Sequence, residues 1–203
     1  MNPEEVSGHC AEDSTRMCPW RSYLDQAMRA YPLPVSRYAQ LATLRPDGRP
    51  ANRTVVVRGL LDPGGLPLIT TDARSAKATD LAARSRAELC WLFGETREQF
   101  RLLGRVSLVG PDDQGKLGEE RRRVWSELPE PSRRSFAWPA PGAPLAEPAE
   151  FEVTTPEFPP RAFVLMVLDP EWVEHLDLRP QPHARTRFVR EGQYEWTIEH
   201  INP

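Results

Sequence analysis

Tight turns divide much of the chain into short segments in which apolar and polar residues alternate. Two of these turns are Pro46-Asp47-Gly48 and Asp62-Pro63-Gly64-Gly65, where proline and glycine favour reversal of the backbone. The segments beside them are rich in β-branched residues with the period of two that is typical of half-buried strands. Few of the stretches between consecutive predicted strands are long enough for a strand–helix–strand crossover. The pattern therefore predicts a mainly β chain, an antiparallel barrel with peripheral helices.

The predicted elements run from residue 20 to the end of the chain. Helices are predicted at 20–31, 75–84 and 112–127. Strands are predicted at 38–44, 50–58, 66–71, 88–93, 99–109, 161–169, 172–178, 185–191 and 194–201. Residues 129–160 are rich in proline, which excludes a regular helix or a central strand, and Phe136 and Trp138 predict a packed loop there. The length of 203 residues predicts a single domain, 1–203, with a loose segment at 1–19.

Charge and cysteine content narrow the classes of partner. With 26 basic and 29 acidic residues the net charge is -3, so no global attraction to nucleic acid or to an anionic membrane is expected. No apolar run approaches the roughly 20 residues of a membrane-spanning helix. Cys10, Cys18 and Cys90 are odd in number and lack the spacing of a disulfide framework or a zinc site, so no metal is expected and the cytoplasm is the predicted location.

Arginines bracket a run of three valines in the second predicted strand. Alternation along a strand places Arg53 and Arg58 on opposite faces. Further along, Ser75 and Lys77 open a predicted helix, with Ser75 as a candidate N-cap. A helix N-terminus, an ammonium group and a strand arginine can together hold a phosphate. Two solvated arginines at the ends of a strand are the alternative.

Three segments, taken in order, resemble motifs of the pyridoxamine 5'-phosphate oxidase family, the FMN-binding split barrels. The corresponding segments are Arg53–Gly59, Thr71 with Ser75–Lys77, and Gln99–Gly104, followed toward the C-terminus by His183–Arg187 and Ile201–Pro203. Gln99 also carries an amide that suits the edge of a heteroaromatic ring, although an exposed glutamine at a strand end is common. The resemblance extends from about Tyr38 to the end of the chain. It implies an antiparallel Greek-key split β-barrel of the FMN-binding type.

The resemblance also implies a cofactor, FMN, and a set of contacts. The implied cofactor-binding residues are Arg53, Thr54, Val55, Val56, Thr70, Thr71, Ser75, Lys77, Gln99 and Arg187. The implied substrate-binding residues are Arg58, His183 and Arg185. A homodimer with the flavin at the subunit interface follows, in which Arg187 and the proline-rich loop come from the partner. The implied activity is that of an oxidoreductase that transfers a hydride or electron pair between a small anionic substrate and FMN, and no catalytic residue is identified.

Several positions depart from the family motifs. Ala76 stands where the family has an arginine, Leu176 where it has a tryptophan, and Pro141-Gly142 where it has Gln-Ser. His183 and Arg185 exchange the residue types of the family's substrate pair. The sequence therefore indicates a variant subfamily. Two alternatives stay open: a flavin or haem carrier without turnover, with His175 or His183 as an axial ligand, and a reductase that uses coenzyme F420 or a nicotinamide.

Overall fold

The computed structural model describes residues 18–192 and 195–203, so the expectation of a loose segment at 1–19 lies almost entirely outside the described residues. The strands are β1 (Tyr38–Leu44), β2 (Pro50–Leu61), β3 (Leu66–Asp72), β4 (Arg86–Phe93), β5 (Glu98–Val109), β6 (Phe163–Asp177), β7 (Ala184–Arg190) and β8 (Trp196–Ile201). The helices are α1 (Arg21–Ala30), α2 (Ala76–Ala83), α3 (Gly115–Glu127) and α4 (Glu130–Arg134). Single 3-10 turns lie at Pro34–Arg37, Ser135–Ala137 and Pro148–Phe151.

The eight strands form one antiparallel sheet in the order β3-β2-β1-β4-β5-β6-β7-β8. An additional pairing of β3 with β6 closes the first six strands into a barrel, and β7 and β8 extend the sheet beyond it. The chain leaves the barrel after β3 and re-enters as β4 on the far side of β1, with α2 in the connection. This crossing gives the barrel its Greek-key character. The predicted fold class is confirmed.

The barrel is filled by the inward-facing residues of its strands. In β2, Val55 and Val57 are buried at 7% and 2% exposure, whereas Thr54 is exposed and Val56 is half-buried. Leu24 of helix α1 and Trp20, the residue just before the helix, pack into the same core. The alternation of buried and exposed positions agrees with the predicted period of two, so Arg53 shares the core-facing side of β2 and Arg58 the outer side.

Strand β6 is longer than the sequence predicts. The two predicted strands at 161–169 and 172–178 are one 15-residue strand, in which Pro170 pairs with Gly104 at a shift of register between β6 and β5, the kind of irregularity at which a sheet tolerates proline. Gly104 lies opposite this bulge, and a Cβ there would be 2.0 Å from the Asp169 carbonyl oxygen. The prediction of a break at Pro170 was therefore wrong.

The proline-rich segment contains little regular structure and packs on the barrel. Its exception is α4, five residues long, so the exclusion of a regular helix was wrong there. Phe136 meets the rings of Trp125 and Phe163 with centroids 5.8 and 5.0 Å away, as expected for a packed loop. Within the two described ranges, no helix has the length and apolar character needed to cross a bilayer.

Candidate functional site

Hydroxyl and ammonium groups meet where β3 leads into α2. Lys77 Nζ donates to Thr71 Oγ1 at 3.1 Å and to Ser75 Oγ at 3.4 Å. The two hydroxyl oxygens are 3.1 Å apart. Ser75 occupies the N-cap position, but its side chain makes no capping hydrogen bond, so the predicted capping role is not realised. The N–H groups of the first turn of α2 therefore have no side-chain partner from the cap, and their partial positive charge adds to that of Lys77.

Arg53 lies beside this cluster and is fixed by buried groups. Its Nη1 donates to Thr43 Oγ1 at 2.7 Å and to the Leu41 carbonyl at 3.2 Å. Its Nη2 is 3.4 Å from Asp80 Oδ2, which also accepts a hydrogen bond from Thr43 Oγ1 at 2.8 Å. The Asp80 side chain is 4% exposed and that of Arg53 is 22% exposed. Asp80 thus orients Arg53, and sequence reasoning missed it.

Next to Lys77 is a cavity of about 440 Å³ under the proline-rich loop. Its lining consists of Lys77, residues 70–72 of β3, and residues of the proline-rich loop between 135 and 151. Arg74 ties the loop to the β3–α2 turn, because its Nη2 donates to the Trp138 carbonyl at 3.0 Å while the guanidinium pairs with Asp72. The loop therefore lies beside Lys77 of its own chain, whereas the sequence analysis expected it from the partner subunit.

A second group of predicted residues surrounds Glu174 on the outer face of the sheet. Arg185 Nε is 3.1 Å from Glu174 Oε2, and Arg187 Nε is 3.3 Å from Glu174 Oε1. The Glu174 side chain is only 4% exposed because Arg101 covers it as well, with Nη1 at 3.6 Å. Gln99 is half-buried in the adjacent strand, opposite Leu176 of β6. Glu174 is a second residue that sequence reasoning missed.

One chain does not bring these two groups together. Thr70 pairs with Leu165 in the first part of β6, whereas Arg187 pairs with Glu174 in its last part. At about 3.3 Å per residue, the nine steps from Leu165 to Glu174 correspond to about 30 Å along the strand. His183 lies apart from the first group as well, half-buried just before β7, with Nδ1 3.0 Å from the Pro180 carbonyl oxygen.

Comparison with known proteins identifies the family. Residues 17–110 match the family model described as pyridoxamine 5'-phosphate oxidase, FMN-binding domain. Pyridoxine/pyridoxamine 5'-phosphate oxidase 2 of Arabidopsis thaliana is 34% identical over 197 residues, which cover 93% of this chain and 99% of the plant protein. This chain belongs to the pyridoxamine 5'-phosphate oxidase family.

Solved structures agree with the barrel. The crystal structure of a pyridoxamine 5'-phosphate oxidase-related, FMN-binding protein from Nostoc punctiforme matches with a TM-score of 0.86 at 43% identity. The match covers 92% of this chain and 98% of the Nostoc chain. PhzG from Burkholderia lata shares the fold at a TM-score of 0.74 and 20% identity, over 90% of both chains. FMN, the cofactor of the family model, is the cofactor of this chain, and the predictions of family and cofactor are confirmed.

The cluster at the start of α2 suits the phosphate of FMN. Burial lowers the pKa of Lys77 from its ordinary value, the positive charge of Arg53 lowers it further, and Asp72 opposes both. Two cations are thus held close together, and in the described ranges the hydrogen-bond partners of Lys77 are hydroxyl groups. A phosphate dianion would relieve this repulsion through charge-assisted hydrogen bonds.

The remaining predicted cofactor residues differ in what they can offer. The Val55 side chain faces the core, so this residue reaches the outer face only through its backbone. Thr54 is exposed and Val56 is half-buried on the outer face. His175, the candidate axial ligand, is buried, with Nε2 3.0 Å from Glu98 Oε1, and stacks on Phe100 with ring centroids 4.4 Å apart. That hydrogen bond occupies its Nε2 within the barrel.

Proposed function

We propose that this member of the pyridoxamine 5'-phosphate oxidase family is an FMN-dependent oxidoreductase that acts on a small anionic substrate. The observation that carries the proposal is that two cations, Lys77 and Arg53, lie near each other beside two hydroxyl groups at the start of an eight-residue helix. Such a site is built for a doubly charged group. The similarity to pyridoxine/pyridoxamine 5'-phosphate oxidases supports an oxidase as the class of enzyme.

The proposed cofactor contacts follow from this geometry. Lys77, Arg53, Thr71 and Ser75 would hold the phosphate. Thr70 lies on the same strand, and the outer face of β2 at Thr54–Val56 would flank the rest of the cofactor. Gln99 would hydrogen-bond the edge of the ring system. FMN supplies the acceptor and donor of a hydride or electron pair, and the protein supplies binding and orientation.

We further propose a homodimer in which the second group of residues comes from the partner. The separation of about 30 Å along β6 between the strand positions of Thr70 and Arg187 supports this arrangement. In a dimer, Arg187 of one chain would reach the cofactor held by Lys77 of the other. Arg58, His183 and Arg185 are the proposed substrate contacts. A cytoplasmic location is proposed on the cysteine pattern.

The cofactor site is tested by Arg53→Ala and Lys77→Ala, with Arg45→Ala as the control because Arg45 is an exposed arginine just after β1. Each site variant is expected to lose about tenfold or more in FMN affinity, since a hydrogen bond to a charged group contributes about 1.5–3 kcal/mol. Riboflavin affinity, which involves no phosphate, should be unchanged in all three. Wild-type FMN affinity in both site variants would show that the phosphate is held elsewhere.

Turnover separates an oxidoreductase from a flavin carrier. Pyridoxamine 5'-phosphate is the first substrate to test, because similar proteins are pyridoxine/pyridoxamine 5'-phosphate oxidases. Bleaching of the flavin absorbance without oxygen, and its return with oxygen, would support an oxidase. Bleaching by NADPH alone would identify a reductase instead. A flavin that stays oxidised with every anionic amine and alcohol offered would support the carrier.

A further inference from the structure

A second cavity lies on the outer face of the barrel, away from the Lys77 cluster. It encloses about 500 Å³ where the 3-10 turn Pro34–Arg37, the start of β1, the outer end of β2 and α4 meet. Its polar lining consists of Arg37, Tyr38, Arg58 and Ser132, and its remaining walls are two prolines and a valine. Every charged group of this lining is a guanidinium.

The two arginines of the cleft have no acidic partner in the part of the chain that the structure describes. Neither forms an ion pair with a carboxylate of residues 18–192 or 195–203, and Arg58 Nε is buried without a hydrogen-bond partner. Burial lowers the pKa of Arg58, and the nearby charge of Arg37 lowers it further. Arg185 and Arg187, by contrast, share the buried carboxylate of Glu174. The cleft therefore places two guanidinium groups in one lining with no carboxylate of the described residues paired to them, and a bound anion would offset their repulsion.

Arg37 is also held in place by its neighbours. Ser36 is buried at 7% exposure, and its hydroxyl donates to the Leu33 carbonyl at 2.7 Å. The buried Trp91 donates from Nε1 to the Ser36 carbonyl at 2.6 Å. Pro34 opens the turn and restricts its backbone. The backbone that carries Arg37 is thus anchored to the core, so the approach of its side chain to Arg58 does not depend on a mobile surface loop.

We propose that Arg37 is a specificity-determining residue that joins Arg58 in binding the anionic group of the substrate and favours a doubly charged group over a singly charged one. The inference rests on the proposed function for the assignment of that anion to the substrate. Each guanidinium presents two parallel N–H donors to an oxyanion. A phosphate monoester carries a charge of about −1.5 to −2 near pH 7 and matches two cations, whereas a carboxylate matches one. The hydroxyls of Tyr38 and Ser132 provide further donors.

The test compares Arg37→Gln with wild type in the FMN-loaded protein, in which the first phosphate site is already filled. Calorimetric titration with phenyl phosphate and with benzoate measures binding of a dianion and of a monoanion on the same ring. Wild type should prefer phenyl phosphate. Arg37→Gln should weaken phenyl phosphate binding about tenfold or more, should weaken benzoate binding less, and should lose most of the preference. Arg45→Gln, which alters an exposed arginine at the other end of β1, should match wild type.

Two further results decide between a ligand-binding role and a structural one. Without ligand, Arg37→Gln should unfold at the same temperature as wild type or higher, because the substitution removes a repulsion. A lower unfolding temperature, or unchanged affinity for phenyl phosphate, would overturn the proposal. Failure of the protein to bind FMN would overturn the proposed function alone, since the difference between wild type and Arg37→Gln can be measured in the flavin-free protein.

Discussion

The substitution Asp80→Asn tests whether the buried carboxylate serves as the counter-charge of Arg53. Asp80 accepts hydrogen bonds from Thr43 Oγ1 at 2.8 Å and from Arg53 Nη2 at 3.4 Å, and its side chain is 4% exposed. Asparagine keeps the shape and can still accept from Thr43, but it removes the negative charge. Arg53 then faces Lys77 without its own counter-charge, although Asp72 still acts on Lys77.

The expected cost follows from this geometry. Breaking a fully buried pair costs about 3–5 kcal/mol. Arg53 retains 22% exposure, and its contact with Asp80 is long, so we expect Asp80→Asn to lower the free energy of unfolding of the flavin-free protein by about 1–3 kcal/mol. Saturating FMN should reduce this deficit by about 1 kcal/mol, because its phosphate takes over as the counter-charge, whereas riboflavin should not.

The assay is urea unfolding followed by tryptophan fluorescence, with no flavin, with riboflavin and with FMN. Asp25→Asn serves as the matched control, because Asp25 pairs with Arg21 at 2.8 Å in a more exposed setting and should cost less than about 1 kcal/mol. An equal deficit with and without FMN would refute the assignment of Arg53 to the phosphate. So would a rescue by riboflavin as large as that by FMN.

Two other predictions concern the barrel that carries the site. Gly104→Ala should destabilise the protein by at least about 2 kcal/mol in urea unfolding, because its Cβ would lie 2.0 Å from the Asp169 carbonyl oxygen, whereas Gly59→Ala, with no neighbour within 4 Å, should cost much less. Equal costs would show that the bulge opens easily. Burial lowers the pKa of His175 below its ordinary 6.5, and Glu98 opposes this effect. The unfolded chain therefore binds a proton at His175 more readily than the folded chain does. The free energy of unfolding should then fall as the pH drops below about 6.5. His175→Gln should flatten that dependence in urea unfolding at pH 5 to 8, and an unchanged slope would exclude His175 as its source.

Local sequence patterns were sufficient to predict most of the strands. Strand β1 spans the predicted residues, and β2 and β5 differ from the prediction by only a few residues at one end, because turn residues and alternation are encoded within a few positions. Strand β6 was predicted in two pieces because a proline usually ends a strand. What accommodates Pro170 is a bulge opposite Gly104 in β5, and that pairing depends on register between distant segments.

The missed residues have a common cause. Asp80 and Glu174 are acidic residues without a motif of their own, and each became visible only when the fold brought arginines from other elements against it. Arg121 shows the same limit. Residues of both charge signs surround it in the sequence, a pattern that favours a solvated helix face, yet it is 5% exposed and donates to the carbonyl oxygens of Phe163 and Pro160. Sequence motifs therefore predicted which cations serve the site but not which of them are already neutralised.

The degree of neutralisation assigns different roles to the predicted cations. Arg185 and Arg187 share a buried carboxylate, so they are suited to orienting a bound group rather than to attracting a charge. Lys77 has only hydroxyl partners in the described ranges, and Arg53 has one long contact with Asp80, so together they keep an excess of positive charge for a phosphate. Arg58 has no acidic partner there and faces a second arginine. Anion affinity should therefore concentrate at two separate places, one for the cofactor and one for the substrate, and the geometry around Glu174 should govern the alignment of the ring between them.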